Sequence, residues 1–381
     1  MKYYFIVGEA SGDLHASNLM RELKKLDSNA TFRFWGGDLM AEQGGEMVRH
    51  YRETAYMGIF EVLKHLPKIF KNLNFCEKDI EKFNPDVVVL VDYAGFNLRI
   101  AKRIKKMKIP AYYYILPKIW ASSTFRVHKV KKYIDKLFCI MPFEPEFYAR
   151  YGVTAHYSGN PVVDAIDAFE NKNETFEQFI KRNNLPDKPI IGIVAGSRVQ
   201  EVSRILPDML SMTSYFPDFQ FIVAGAPSFS YDDYKPYLNK YQNVTVLFNE
   251  TYSIMKHSHC AMVTSGTATL EAALLNCPQV VCYKMSGGAF SDFVAKKILI
   301  KIPYISLVNI ILNKEAVKEL FQRSFSIEKL KNELNLICNN ETYRQEMFNN
   351  YNKLAEIMGN SGSSRMTAEM MWEHFKLSFV C

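Results

Sequence analysis

Apolar residues along this chain fall into two patterns. Short unbroken runs rich in β-branched and aromatic residues, bounded by Gly, Pro, Asn or Asp, predict strands buried on both faces. They cover residues 2–7, 32–35, 86–91, 111–115 and 136–140, then 190–195, 220–224, 244–247, 261–264 and 279–283. Between them, apolar residues recur three and four apart, as in 13–26, the period of a helix with one buried face. Strands alternating with helices predict parallel sheets covered on both sides, so the fold class is α/β with two doubly wound, Rossmann-like domains. The pattern breaks near residues 160–190, where Gly159-Asn160-Pro161 is followed by two polar stretches ending at Pro189. Domains are therefore expected at 1–165 and 166–350. Residues 351–381 are expected to form a helical segment packing back toward the first domain, with a last helix at about 369–377.

The length of 381 residues supports this division, because single hydrophobic cores stop growing well below that size. Charge adds a second asymmetry. Residues 1–165 hold 25 Lys and Arg against 18 Asp and Glu, whereas 166–381 hold 22 of each, so the whole +7 excess lies in the first half. That half favours a phosphorylated substrate or an anionic membrane surface. A basic face with no partner is the plainer alternative. No nucleic-acid-binding signature is present, and no nucleic-acid partner is expected. The seven cysteines form no CxxC pair and sit mostly in apolar runs, which reads as reduced core residues. No apolar run reaches membrane-spanning length, and the start reads as a strand rather than a signal peptide, so a cytoplasmic location is expected.

Four strand-to-helix turns carry candidate chemistry. In Val7-Gly8-Glu9-Ala10-Ser11-Gly12-Asp13, the carboxylates Glu9 and Asp13 repel anions and suit hydroxyl recognition or proton abstraction; Ser11 or Asp13 capping the helix is the plainer reading. Asp92 ends a buried strand where it can take a proton from an acceptor hydroxyl, or cap the helix near Asn97. Gly196, Ser197 and Arg198 form a small-residue turn with a cationic fork suited to a diphosphate, unless Arg198 merely pairs with Glu201. Ser265, Gly266 and Thr267 make a second anion-compatible turn. Glu271, one helical turn on, is placed to bond ribose hydroxyls or to belong to a capping arrangement with Thr267. Ser11, Gly12, Asp13, Asn97 and Trp120 are expected around the acceptor.

Taken with VGEASGDLH, PDVVVLVDYAGFN, MPFEPEFYARYGV, AGSRVQEV, TSGTATLEAALLNCPQVVCYK and YISLVNIIL in this order, the chain resembles the lipid-A-disaccharide synthase family. Members are inverting glycosyltransferases whose two domains face each other across a cleft, the GT-B architecture. The resemblance implies joining UDP-2,3-diacylglucosamine to 2,3-diacylglucosamine 1-phosphate, giving a β-1,6 disaccharide 1-phosphate and UDP. It further implies work at the cytoplasmic face of the inner membrane with no metal or other cofactor. It associates Asp92 with catalysis, Glu9 being the second candidate base. Arg198 goes with the donor phosphates, and Glu271 and Asn309 with the nucleotide-sugar. Three departures are plain: Ser122 replaces the second tryptophan of a segment that keeps Trp120, Asn160 stands where a histidine is common, and Ala195 stands where a proline often precedes the Gly-Ser-Arg turn. Rival readings are another GT-B enzyme on UDP-sugars, either a polyprenyl-acceptor transferase or an epimerase, and a non-catalytic nucleotide-sugar sensor.

Residues 57–73 place Ile59, Phe60, Leu63, Ile69, Phe70 and Leu73 at helical spacing with Lys64, Lys68 and Lys71 opposite, bent at Pro67. A basic amphipathic helix of this kind is expected to rest on the membrane surface or to face the core.

Overall fold

The computed structural model describes residues 1–53, 66–122, 124–284 and 303–379. Contacts divide the chain into two compact units, Met1–Pro161 with Asn360–Cys381, and Val162–Gly359. The sequence-drawn boundaries after 165 and 350 instead cut the helices Pro161–Asp167 and Glu341–Met358. Polar texture marks exposed backbone, whereas a unit ends where long-range packing ends.

The first unit is a seven-stranded, all-parallel sheet in the order β3-β2-β1-β4-β5-β6-β7. Its strands are β1 (Lys2–Ile6), β2 (Thr31–Gly36), β3 (Glu46–His50), β4 (Val87–Val91), β5 (Ala111–Tyr114), β6 (Lys136–Cys139) and β7 (His156–Tyr157). Alternation along each strand feeds two cores. Tyr4, Ile6, Val88, Leu90 and Tyr113 pack under the helices Leu66–Phe83, Ala94–Lys106 and Val127–Tyr133. Tyr3, Phe5, Val87, Val89 and Tyr112 pack under Ala10–Leu26 and the last helix, Ser363–Phe379. Both faces are covered, which is why these strands read as unbroken apolar runs.

That last helix starts six residues before the expected 369, since Ser363 is fully buried beside Gly159 and Thr367 bonds to Ser158 at 2.6 Å. Its apolar face supplies Ala368, Met371 and Phe375 to the second core, and His374 meets the Tyr112 hydroxyl at 2.9 Å.

The second unit repeats the plan in the order β10-β9-β8-β11-β12-β13, again all parallel. Here β8 is Ile190–Val194, β9 Gln220–Gly225, β10 Val244–Phe248, β11 Cys260–Thr264, β12 Gln279–Tyr283 and β13 Lys318–Phe321. Strands β3, β7 and β13 were not expected. Each lies at an edge, is short, and carries partly exposed polar residues, so none produces an apolar run.

In both sheets the strand order reverses beside the first strand, between β1 and β4 and between β8 and β11. Loops leaving these neighbouring strands diverge, opening a crevice at the carboxyl edge where open α/β sheets bind ligands. All four candidate turns leave one of these four strands.

Candidate active site

At the first reversal point, the end of β4 is forced into an uncommon backbone. Asp92 and Tyr93 have φ of 44° and 45°, and Ile115, just past β5, has 58°. Left-handed conformation in a β-branched residue is costly and persists only where surrounding bonds impose it. The Asp92 amide donates to the Tyr114 carbonyl at 3.2 Å, and its own carbonyl accepts from Asn97 Nδ2 at 2.9 Å and from the Tyr113 hydroxyl. With its backbone so tied, the Asp92 carboxyl is directed to Glu9, with which it shares a hydrogen bond. Ser11 Oγ donates to Glu9 Oε1 at 2.7 Å, orienting the partner. The loop from β1 comes this close because Gly8 lacks a side chain: a Cβ there would lie 2.2 Å from the Tyr93 ring.

Desolvation, reinforced by the charge and hydrogen bond of Glu9, pushes the Asp92 carboxyl up to about 7, against a smaller opposing pull from Lys118. A carboxyl raised to about 7 exchanges its proton near neutral pH. The helix after Asp92 has Tyr93 at its N-cap and no side-chain cap bond, so the capping alternative for Asp92 is not what is observed.

A second carboxylate obeys the same rule and escaped the sequence reading. Glu144, just beyond β6, is 1% exposed; its Oε1 accepts from Trp120 Nε1 at 3.2 Å and its Oε2 from the Met141 amide at 3.1 Å. Burial pushes it up to about 7, and Lys118 pulls on it as on Asp92. The signal was its place after a buried strand inside MPFEPEFYARYGV.

In the second unit, Gly196 takes φ of 103°, and the Glu201 carboxylate folds back over it, accepting from the Ser197 amide at 3.3 Å. Arg198 stands at the N-cap position of the helix Val199–Leu210 without a side-chain cap bond, lies 3.6 Å from Glu201, and keeps its side chain 67% exposed. A carboxylate thus already sits in the turn expected to hold a phosphate. Following β11, Ser265 Oγ donates to the Ile305 carbonyl at 3.0 Å, Gly266 adopts φ of 147°, and the helix Thr267–Leu274 begins with no side-chain cap. Its first amides therefore point outward unpaired by side chains, as an anion site needs. Glu271 does not cap; it accepts from the Tyr252 hydroxyl at 3.0 Å, and burial raises its carboxyl above the usual range.

These turns carry a shared ancestry. A family model described as lipid-A-disaccharide synthetase matches residues 3–371. The chain belongs to that family. Lipid-A-disaccharide synthases of Myxococcus xanthus and Nitrosococcus oceani are 33% and 34% identical, covering 97% and 96% of this chain and 96% and 94% of their own. A UDP-GlcNAc 2-epimerase from Neisseria meningitidis, solved with UDP-GlcNAc, matches the fold with a TM-score of 0.60 at 15% identity, covering 98% of this chain and 100% of that one. Membership makes the chain a glycosyltransferase that forms the lipid A disaccharide from acylated glucosamine sugars, and decides against the epimerase, polyprenyl-acceptor and sensor readings.

Within this family member, several residues expected to touch ligand have their polar atoms occupied by the protein itself. Asp13, 3% exposed, accepts from the amides of Gly37 (2.8 Å), Leu39 (3.1 Å) and Met40 (3.2 Å), capping the helix Asp38–Glu42 rather than its own. Gly12 is a packing position, where a Cβ would lie 2.7 Å from Val7. Asn97, fully buried, is occupied only in part: its Nδ2 donates to the carbonyls of Ile6, Val91 and Asp92 and so joins the ends of β1 and β4, while its Oδ1 meets no hydrogen-bond partner among the described residues. Asn309 is also fully buried: its Nδ2 donates to Val317 O and Glu319, and its Oδ1 accepts from the amides of Ala316 and Val317. It positions the chain at Ile305–Ser306, whose amides also bond Glu319, and has no atom left for a nucleotide.

The basic amphipathic stretch is also corrected in part. Ile59, Phe60, Leu63 and Lys64 lie outside the described residues. Beyond them, Ile69 and Leu73 pack in the first core, while Lys68, Phe70 and Lys71 are exposed. Pro67 is the second described residue of Leu66–Phe83, and the stretch before it, where the expected bend would show, lies outside the described residues. No helix among the described residues is long and apolar enough to cross a membrane.

Proposed function

We propose that this transferase joins UDP-2,3-diacylglucosamine to 2,3-diacylglucosamine 1-phosphate at the inner face of the inner membrane, with Asp92 as general base. The observation that carries the assignment is the Glu9–Asp92 hydrogen bond at the reversal point of the first sheet, with Asp92 pushed up to about 7. A base poised near the working pH combines a useful ionised fraction with a useful affinity for the proton it takes. Ionised Asp92 removes the proton from the acceptor's primary hydroxyl as that oxygen attacks the donor's anomeric carbon; the bond to the UDP oxygen breaks, and configuration inverts. The abstracted proton stays on Asp92, whose affinity for it is raised by the charge and hydrogen bond of Glu9.

Negative charge grows on the departing diphosphate. In this reading it is taken up by Arg198, by the amides of the turn at Gly196–Ser197 once Glu201 gives up its bond from Ser197, by those of Ser265–Thr267, and by the dipole of the helix starting at Thr267. No metal is required, so turnover should survive a chelator. Glu271 takes ribose hydroxyls, exchanging its bond from Tyr252. The second unit is thereby the donor domain and the first the acceptor domain.

Incubating the protein with the two acylated sugars and weighing the products tests this reading. A tetraacyl disaccharide 1-phosphate with stoichiometric UDP is expected; UDP release with no disaccharide, or turnover abolished by chelation, would sink it.

A further inference from the structure

Of the cysteines among the described residues, Cys76, Cys139, Cys260, Cys277 and Cys282 are buried and Cys338 is partly exposed. Cys139, Cys277 and Cys282 each lie against a backbone carbonyl, of His156, Pro278 and Val280, as isolated core thiols do. Cys260 and Cys338 instead meet each other, with 3.6 Å between their sulfurs. Cys260 opens β11, and Cys338 lies in the last turn of the helix Ile327–Asn339, which packs on that strand. They are 78 residues apart, so no spacing in the sequence announces the pair.

A cation stands beside both thiols. Arg344 Nη1 donates to the carbonyls of His259 at 3.0 Å and Ile337 at 3.1 Å, the residues just before the two cysteines. Its side chain is largely buried, so its charge acts through protein rather than through water. The hydrogen bond given by Cys260 holds the Cys338 thiol below its ordinary value, and Arg344 pulls the same way against burial. Cys260 keeps its proton, pushed well up by that bond and by burial. The sulfur that reaches solvent is thus the more easily ionised, with a second sulfur directly behind it, the arrangement of an attacking and a resolving thiol. A metal does not suit the pair. No three His, Cys, Asp or Glu side chains among the described residues are grouped to hold one, and the Arg344 guanidinium lies 3.2 Å from His259 Nε2.

We infer that Cys260 and Cys338 form an oxidisable dithiol, which a peroxide converts to a disulfide inside the second unit. The Cys338 thiolate attacks one peroxide oxygen, the O–O bond breaks, and the departing hydroxide takes a proton to become water, leaving a sulfenic acid. The Cys260 sulfur then attacks the Cys338 sulfur; the S–O bond breaks, and the departing hydroxide takes the Cys260 proton as a second water. The two thiols lose two electrons and two protons, and one hydrogen peroxide is reduced to two waters. Bonding requires the sulfurs to approach by about 1.5 Å, and Cys338 sits at a helix end, where the backbone yields most easily. The bond closes a loop that contains the Ser265–Thr267 turn, Glu271 and Asn309, and so restrains the unfolded chain. It leaves that turn itself untouched, because Cys260 stands at the other end of β11, about 13 Å away. This site does not rest on the reaction proposed above.

Peroxide treatment of the full-length protein, followed by alkylation of the remaining thiols and peptide mapping by mass spectrometry, tests the inference. A peptide pair joining Cys260 to Cys338, lighter by two hydrogens than its parts and released by dithiothreitol, is expected. It should form at least about tenfold faster than Cys76, Cys139, Cys277 or Cys282 is oxidised. The cross-linked protein should melt about 5 °C or more above the reduced one, and dithiothreitol should reverse the rise. In Cys260→Ser the resolving sulfur is gone, so a sulfenic acid should persist on Cys338 and be trapped by dimedone; Cys338→Ser should give neither product. Recovery of both thiols in alkylated form from peroxide-treated wild type overturns the inference and needs no variant to fold. Oxidation of Cys277 or Cys282 at an equal rate overturns it too, as does a bond from Cys338 to a second chain or an unshifted melting temperature once the cross-link has formed.

Discussion

The Asp92 carboxyl gives the residue-scale predictions their sign. Its folded-state value is raised to about 7, whereas an unfolded aspartate titrates near about 3.9. Between those values the folded protein holds a proton that the unfolded chain has released, so stability from this group is present at low pH and falls as pH rises toward 7. Asp92→Asn removes the cost of ionisation. It should raise the melting temperature at pH 8 more than at pH 5, measured by calorimetry, while lowering kcat by about 10²–10⁴-fold with donor KM little changed. Because the Glu9 charge and hydrogen bond both raise Asp92, Glu9→Gln should move the acidic limb of the kcat/KM profile to lower pH; an unmoved limb would show that the pair does not act together. Arg198 behaves oppositely to Asp92. With its side chain 67% exposed and Glu201 3.6 Å away, the ion pair contributes under about 1 kcal/mol, so Arg198→Ala should leave stability nearly unchanged while weakening UDP binding in calorimetric titration.

Among the elements, the corrected residues become the informative ones. Asp13 holds the start of Asp38–Glu42 through three backbone amides, a cap supplied from a different helix. Asp13→Ala strands those amides and should destabilise the protein by about 1–3 kcal/mol in denaturant titration, with no alternative partner nearby to recover it. Asn309→Ala removes four hydrogen bonds from a fully buried position and leaves Glu319 without one of its donors. Its loss should be of similar size or larger, and any fall in UDP affinity should track the unfolded fraction if Asn309 only positions the chain. The apolar rhythm of 10–26 revealed that a helix follows β1, but Asp13 looks identical in sequence whether it caps its own helix or another. Spacing along one chain cannot distinguish partners that arrive from elsewhere. Glu144 was legible by the rule that identified Asp92, a carboxylate just past a buried strand, and was obscured by lying among other polar and aromatic residues.

For the whole molecule, the last helix returns to the unit in which the chain began. Met371 and Phe375 fill the core under Ala10–Leu26, each burial contributing about 1.5–3 kcal/mol. Truncation after 359 should raise amide exchange in β1 and β4 while β8 and β11 keep their protection; unchanged exchange in β1 would refute the packing role. The strand runs, the break between two α/β halves and the four chemistry-bearing turns were all determined by sequence alone, since burial on both faces and strand-to-helix turns leave local, periodic signatures. Only the tertiary structure decided that Glu9 and Asp92 meet, that Asp13 and Asn309 are occupied internally, and that Glu201 lies over Gly196. Each of these depends on groups meeting across strands, helices or folded-back turns, and a hydrogen bond forms at a distance in space that the order of residues does not encode.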